Sequence, residues 1–153
     1  MSTLQRYRKR GGFLKLLQLI ETSAPPKREQ LLKVIEKEDP HWAQNIRTKS
    51  LSFEKFCSWK PETQYTVLNR LTEQYKIMTF KKLPENNAQA LKSIMDPQEA
   101  AELYDNVQNA KDPLDGEFLS ALTHLFETIR ELDSDNVIIL SQIDPTLKIP
   151  EAS

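Results

Sequence analysis

Residues 114–132, with the sequence LDGEFLSALTHLFETIREL, decide the fold class. Their large apolar side chains recur every three or four residues, whereas a strand would alternate at every second residue. This spacing predicts one amphipathic helix that packs its apolar face on a core. The residues expected on that face are Phe118, Leu122, Leu125, Phe126 and Ile129.

The prolines divide the rest of the chain into further helical segments. Nine prolines are spread over 153 residues, and there are only three glycines. Proline suits the first turn of a helix, where its missing N–H would have no partner. Asp39-Pro40 and Asp96-Pro97 each place a capping side chain directly before such a proline. Because hairpins and phosphate loops need more glycine than this, we predict an all-α fold.

Composition excludes several classes of protein. The chain is 39% apolar and 28% charged, which is enough apolar content for a core. It contains no apolar run near the ~20 residues of a membrane helix, and its basic start lacks a secretory pattern. One cysteine, Cys57, and two histidines, His41 and His124, leave no disulfide framework and little room for a zinc site. With no phosphate loop or HExxH motif, we expect an intracellular, non-enzymatic protein without cofactor or metal.

Charge is divided unevenly along the chain. Residues 1–95 contain 18 Lys and Arg against 9 Asp and Glu, whereas residues 96–153 contain 3 against 13. Such a chain can meet partners of opposite sign at its two ends, or its solvated helix faces can simply differ in sign. The basic start, with Tyr7 as its one aromatic residue, is a weak signal for nucleic acid. We expect no nucleic-acid partner.

The segment from Gly11 to Phe53 resembles the bacterial flagellar motor switch protein FliG. In that family a Gly-Gly pair precedes a helical unit that ends in Glu-Glu-Asp-Pro-x-Leu-Ala-x-x-Ile. Residues 36–46 read Glu-Lys-Glu-Asp-Pro-His-Trp-Ala-Gln-Asn-Ile, with the same spacing. Later motifs follow in the family's order. Asn-Met-Ser-x-Arg-Ala-Ala is similar to residues 94–101 with one insertion, Gly-Pro-Val-Arg to residues 112–115, and Ile-x-Arg-Leu to residues 129–132.

The resemblance implies an armadillo-like helical unit followed by a six-helix C-terminal part that meets the stator. It leads to a division into a basic lead-in at 1–10, expected to be frayed, and an armadillo-like unit at 11–49. The remaining parts of this division are a hinge region at 50–60, a torque-type helical domain at 61–140 and a loose tail at 141–153. Independently of the resemblance, the apolar run from Val137 to Leu140, at the end of the part 61–140, predicts a strand-like lid on the core. The family's N-terminal domain and its Glu-His-Pro-Gln motif have no counterpart in the sequence, as in a fragment, a divergent paralogue or a specialised motor component.

The resemblance also assigns functional residues by position. The hinge motif Met-Phe-x-Phe corresponds to residues 50–53 and keeps only its last aromatic. Two basic positions of the torque face become acidic here, and a neighbouring glutamate extends the acidic row. The residues carried over are Ser50, Leu51, Ser52 and Phe53 for the hinge, and Lys81, Lys82, Glu99, Glu102, Asp105, Asn106 and Asp115 for the charged face.

These positions imply a protein-interaction module. The expected partners are rotor or stator-type components similar to FliM or MotA, with self-association as a further possibility. The reversals at Glu99 and Asp115 predict a basic partner surface, because like charges across an interface suppress binding. The expected location is cytoplasmic, peripheral at the inner face of the cytoplasmic membrane, with no transmembrane segment. Alternatives are an adaptor in a non-flagellar membrane machine and a nucleic-acid-associated helical protein.

Overall fold

The computed structural model describes residues 4–149, which contain helices and no strand. The predicted all-α fold is therefore confirmed. The chain forms two compact units, and the boundaries fall after Leu51 and after Ile138. The first unit combines the N-terminal residues with those from Ile139 onward, so the second unit, Ser52–Ile138, is inserted into it. Residues 1–3 of the predicted lead-in and 150–153 of the predicted tail lie outside the described residues.

The first unit is built on three consecutive helices and residues 139–149. The three helices are α1 (Gly12–Glu21), α2 (Pro25–Glu38) and α3 (Pro40–Lys49). The short helix α10 (Leu140–Ile143), which follows the second unit in the sequence, also belongs to the first unit. Short 3-10 turns at Gln5–Tyr7 and Pro145–Leu147 complete the unit. The core of this unit consists of Leu4, Phe13, Leu16, Leu17, Ile20, Leu32, Ile35, Ala43 and Ile46.

The helix start predicted at Asp39-Pro40 is confirmed. Pro40 begins α3, and the Asp39 carboxylate accepts the N–H groups of His41 and Trp42 at 3.1 and 3.2 Å. Gly11 precedes α1 with a φ of 79°, in the left-handed region that favours glycine. A Cβ on Gly12 would lie 2.0 Å from the carbonyl oxygen of Tyr7, so no larger residue fits there.

The lead-in is packed rather than frayed from residue 4 onward. Leu4 is fully buried in the core, and its N–H donates to the Glu38 carboxylate at 3.1 Å. Arg8 forms an ion pair of 3.0 Å with Asp39, and its guanidinium lies 4.9 Å from the centre of the Trp42 ring. The basic composition did not indicate this packing, because Leu4 and Tyr7 are the only large apolar or aromatic side chains among the cations of residues 4–10.

Asp39 links the lead-in to α3 and makes the first unit acid-sensitive. The hydrogen bond from Arg8, and next that from the Trp42 N–H, hold the pKa of Asp39 below its ordinary value of 3.8. A carboxylate with a lower pKa in the folded state stabilises the fold above its unfolded pKa, and this contribution is lost as pH falls through the folded value. We therefore expect the first unit to lose stability below about pH 4.

Asp39→Asn keeps a capping side chain but removes the charge, so it should flatten this acid dependence. Melting temperatures measured by circular dichroism between pH 2.5 and 7 would show it. Asp96→Asn, which alters a helix cap in the second unit, serves as the control. Parallel pH curves for the wild type and Asp39→Asn would contradict the assignment.

Trp42 and Leu31 pack against the same core cluster, as the helical spacing predicts. The Trp42 ring meets Phe13 edge to face, with 5.3 Å between ring centres, but it is only half-buried. We therefore expect Trp42→Ala to destabilise the first unit by about 2–3 kcal/mol, below the ~3–5 kcal/mol of a fully buried ring. Urea unfolding followed by circular dichroism measures this. His41→Ala, at the exposed neighbouring residue, is the control. Equal urea midpoints for the two variants would show that the Trp42 side chain contributes no more to stability than an exposed residue does.

The second unit contains six helices. They are α4 (Phe53–Cys57), α5 (Pro61–Leu68), α6 (Glu73–Lys82), α7 (Glu85–Ile94), α8 (Pro97–Asn109) and α9 (Asp115–Ser134). The long helix α9 matches the amphipathic prediction and packs on α5 and α6. Its inner face buries Leu125, Phe126 and Ile129.

The predicted strand-like lid at Val137 to Leu140 is wrong. Asn136 has a φ of 59°, and the N–H groups of Asn136 and Val137 donate to the carbonyls of Asp133 and Leu132 at 3.1 and 2.9 Å. This is a helix-ending Schellman motif, in which the backbone turns back on the last helical turn instead of extending. Leu140 then begins α10.

Candidate functional site

The candidate site is built on α8. Asp96 caps this helix, and its carboxylate accepts the N–H groups of Gln98 and Glu99 at 3.2 and 3.4 Å. Leu103 is buried on the inner side, where α8 packs against α6. Residues three and four positions apart share a helix face, which places the exposed Glu102, Asp105 and Asn106 together on the outer side.

Glu99 has a different environment from this exposed row. It is half-buried, and one carboxylate oxygen accepts a hydrogen bond of 2.7 Å from the Tyr65 hydroxyl on α5. This bond to the carboxylate is the main reason that the pKa of Tyr65 is raised. Glu99 therefore ties α8 to α5, and substitution at this position changes packing as well as charge.

Lys81 has a structural position that the sequence did not indicate. Its Nζ donates to the carbonyl oxygen of Val107 at 3.1 Å and also to that of Ala110. These carbonyls lie at the end of α8, where no further N–H group of the helix is available to donate to them. The helix dipole also favours a cation at this end. Asp112 adds an ion pair of 3.6 Å. Only 19% of the Lys81 side chain is exposed, so its charge is largely used inside the unit.

Lys82, the next residue, is exposed. Its Nζ lies 5.6 Å from the centre of the Phe118 ring, a cation–π distance. The two adjacent lysines therefore have different roles. Lys81 stabilises the end of α8, whereas the charged group of Lys82 is exposed to solvent.

The start of α9 continues the acidic surface. Asp112 is 85% exposed despite its ion pair, and Asp115 lies exposed in the first turn of α9. The Glu117 carboxylate accepts the Leu114 N–H at 2.9 Å, which fixes the turn. We use the name acidic surface for Glu102, Asp105, Asp112 and Asp115.

A cleft lies beside this surface, between the end of α6 and helices α7 and α8. Its volume is about 240 Å³, and its walls include Phe80, Leu83 and Val107. At its edge the Lys92 ammonium lies 4.1 Å from the centre of the Tyr104 ring. Sequence reasoning missed this pair because the two residues belong to different helices and neither stands in a motif.

The predicted hinge residues divide between the two units. Leu51 is buried in the first unit, and its N–H donates to the Glu21 carboxylate at 2.7 Å. In the second unit, Ser52 caps α4 by accepting the Lys55 N–H at 3.2 Å. The Phe53 ring lies 5.6 Å from the Phe118 ring, centre to centre.

The two units have opposite charge. The described residues of the first unit include 12 Lys and Arg against 6 Asp and Glu, and those of the second unit include 9 against 15. The uneven charge seen along the sequence therefore follows the structural division. The acidic surface belongs to the negative unit.

The sequence profile of the family described as "FliG C-terminal domain" matches residues 33–140. The chain belongs to this family. The match covers all of α3 to α9, including the acidic surface. No curated protein gives a significant match to the chain.

Membership of the FliG C-terminal domain family implies a motor-switch type of function, and this family is one of structural and interaction domains. Between residues 4 and 149, no helix has both the length and the apolar character required to cross a bilayer. The same residues contain no group of three His, Cys, Asp or Glu side chains placed to hold a metal ion.

Proposed function

We propose that this chain is a non-enzymatic flagellar-motor module that docks to a protein partner through the acidic surface. The observation that supports this most strongly is the family match over residues 33–140. The exposure of Glu102, Asp105, Asp112 and Asp115 leaves these carboxylates available to a partner. Exposed charges of one sign steer the encounter with a surface of the opposite sign.

The proposed partner surface is basic. At two positions where the FliG family has a cationic residue, this chain has an acidic one, Glu99 and Asp115. A partner surface that is complementary to a face with both positive and negative charges would place acidic groups against Asp115. Repulsion between these like charges would weaken binding. Rotor components similar to FliM and stator components similar to MotA are the two classes to compare. The corresponding location is the cytoplasmic side of the membrane at the flagellar base.

Charge reversal on the acidic surface tests this proposal. Glu102→Arg with Asp115→Arg should slow association with the native rotor or stator partner by about tenfold at low salt, and the difference should shrink at 0.5 M salt. Both residues are exposed, which spares the Tyr65–Glu99 contact. Stopped-flow or surface plasmon resonance measures the rate.

The matched control is Glu62→Arg with Glu131→Arg, two exposed acidic residues elsewhere in the second unit. It makes the same change in net charge. Equal rates for the two double variants at low salt would show that the acidic surface is not the docking site. Flagellar rotor genes beside the coding sequence would support the motor setting over a non-flagellar machine.

We also propose that the link between Leu51 and Ser52 is the point of articulation. Leu51 is fixed by Glu21 and Phe53 by aromatic contacts, so at this crossing, one of two between the units, the freedom lies in the link between these anchors. Ser52→Pro would restrict φ there and remove the hydroxyl cap of α4. Ser52→Ala removes only the cap and is the control. Small-angle scattering that responds equally to both variants would count against the proposal.

A further inference from the structure

The first residues of the first unit contain a dense group of cations. Between residues 4 and 20 there are five Lys and Arg side chains and no Asp or Glu. Arg8 is paired with Asp39. The other four are exposed, and they form no ion pair with any residue between 4 and 149. We use the name basic patch for these four residues, which are Arg6, Lys9, Arg10 and Lys15.

The backbone holds the basic patch in place. The Gly12 N–H donates to the Lys9 carbonyl oxygen at 2.8 Å, and the Tyr7 carbonyl is so close to Gly12 that no Cβ fits between them. The Gln5–Tyr7 turn therefore packs on the start of α1. Lys15 follows in the first turn of this helix. The backbone positions of the four cations are thus fixed near one end of α1, where the helix dipole adds positive potential.

The basic patch presents charge without an apolar anchor. The large apolar residues of the same segment, Leu4 and Phe13, are buried, and Tyr7 packs half-buried on the core cluster. Protein interfaces are centred on aromatic or aliphatic anchors, which this patch lacks. Single-stranded nucleic acid needs exposed aromatic side chains for stacking, and a duplex is read by a helix or strand pair placed in a groove. Six of the ten residues of α1 are buried, so this helix is committed to the core.

We propose that the basic patch binds an anionic lipid surface through the phosphate groups of the lipids. A layer of negative charge attracts each nearby Lys or Arg additively, and about four such residues in a cluster are sufficient for binding. The second unit, with 9 Lys and Arg against 15 Asp and Glu, gains no attraction from such a surface. The proposal rests on the first unit alone and is independent of the acidic surface and its partner.

Sedimentation of the full chain with lipid vesicles tests the proposal. We expect the chain to bind vesicles of phosphatidylcholine with about 30% phosphatidylglycerol at low salt, and not vesicles of phosphatidylcholine alone. Salt at about 0.5 M should release it, because screening removes the attraction. This measurement uses the unaltered protein, so no variant has to fold. Equal binding to the two kinds of vesicle, including none to either, would overturn the proposal.

Neutral substitutions locate the binding surface. The test variant removes three of the four charges of the basic patch, by Lys9→Gln, Arg10→Gln and Lys15→Gln. The control removes three exposed charges from α2, by Lys27→Gln, Lys33→Gln and Lys37→Gln. The test variant should bind the anionic vesicles at least about tenfold more weakly than the wild type, and the control within about threefold. Equal weakening in both variants, which have the same net charge, would overturn the proposal.

Competition with DNA separates lipid from the other polyanion that a basic surface can meet. A random-sequence duplex is added at the same phosphate concentration as the anionic vesicles. We expect most of the chain to remain on the vesicles, since the basic patch has neither a stacking side chain nor a groove-reading helix. Displacement of most of the chain by the duplex would assign the basic patch to nucleic acid and show that the proposal is wrong.

Discussion

Replacing Phe56 by alanine is expected to destabilise the second unit by about 3–5 kcal/mol. The side chain is fully buried, and its ring lies 5.5 Å from that of Trp59 and 6.4 Å from that of Phe53, centre to centre. Alanine would lose the apolar burial and leave a cavity among rings that cannot all move into it. Urea unfolding followed by Trp59 fluorescence, in a Trp42→Phe background, would report the change.

The neighbour Cys57→Ala is a suitable control for this variant. It lies on the same short helix and is only half-buried. We expect it to cost less than about 1 kcal/mol, since it removes one sulfur atom from a partly solvated site. If Phe56→Ala and Cys57→Ala unfold at the same urea concentration, the α4 contacts do not hold the core of this unit together.

Lys81→Met should destabilise the second unit by about 2–3 kcal/mol, although it alters a residue of the predicted charged face. Methionine keeps most of the aliphatic stem but removes the donor to Val107 and Ala110. A hydrogen bond to a charged group contributes about 1.5–3 kcal/mol, and the carbonyls at the end of α8 would lose it. Hydrogen exchange should show faster opening of the last turn of α8.

Lys82→Met makes the same chemical change one residue later. Because Lys82 is exposed and only faces the Phe118 ring, its loss should change stability by less than about 1 kcal/mol. If both variants were equally stable, Lys81 would not be a helix cap and its charge would remain available for a partner. Partner binding measured on the two variants separates these roles further.

Local signals in the sequence were sufficient for the starts of α3 and α8 and for the amphipathic helix α9. Asp39-Pro40 and Asp96-Pro97 mark helix starts because a cap and its helix are adjacent in the chain. The period of α9 is likewise a property of consecutive residues. Collinear motifs then allowed the family to be predicted, and the match over residues 33–140 confirms that prediction.

Contacts between distant residues explain what the sequence did not predict. Lys81 meets α8 at separations of 26 and 29 positions, and Tyr65 meets Glu99 at 34. Two of the seven residues assigned to the charged face are therefore engaged within the unit. The predicted loose tail is instead packed into the first unit at residues 141–149, where Leu147 is buried. This was missed for the same reason, since two prolines near the chain end are typical of loose segments.

The insertion of the second unit into the first has a consequence for biosynthesis. Residues 52–138 leave the ribosome before residues 139–149 do, and they include every element of the second unit. Domains fold as units once their residues are available. The helices α1 to α3 emerge earliest, yet they must wait for Leu140, Leu147 and Ile149. The unit that is synthesised first is therefore the last to be finished.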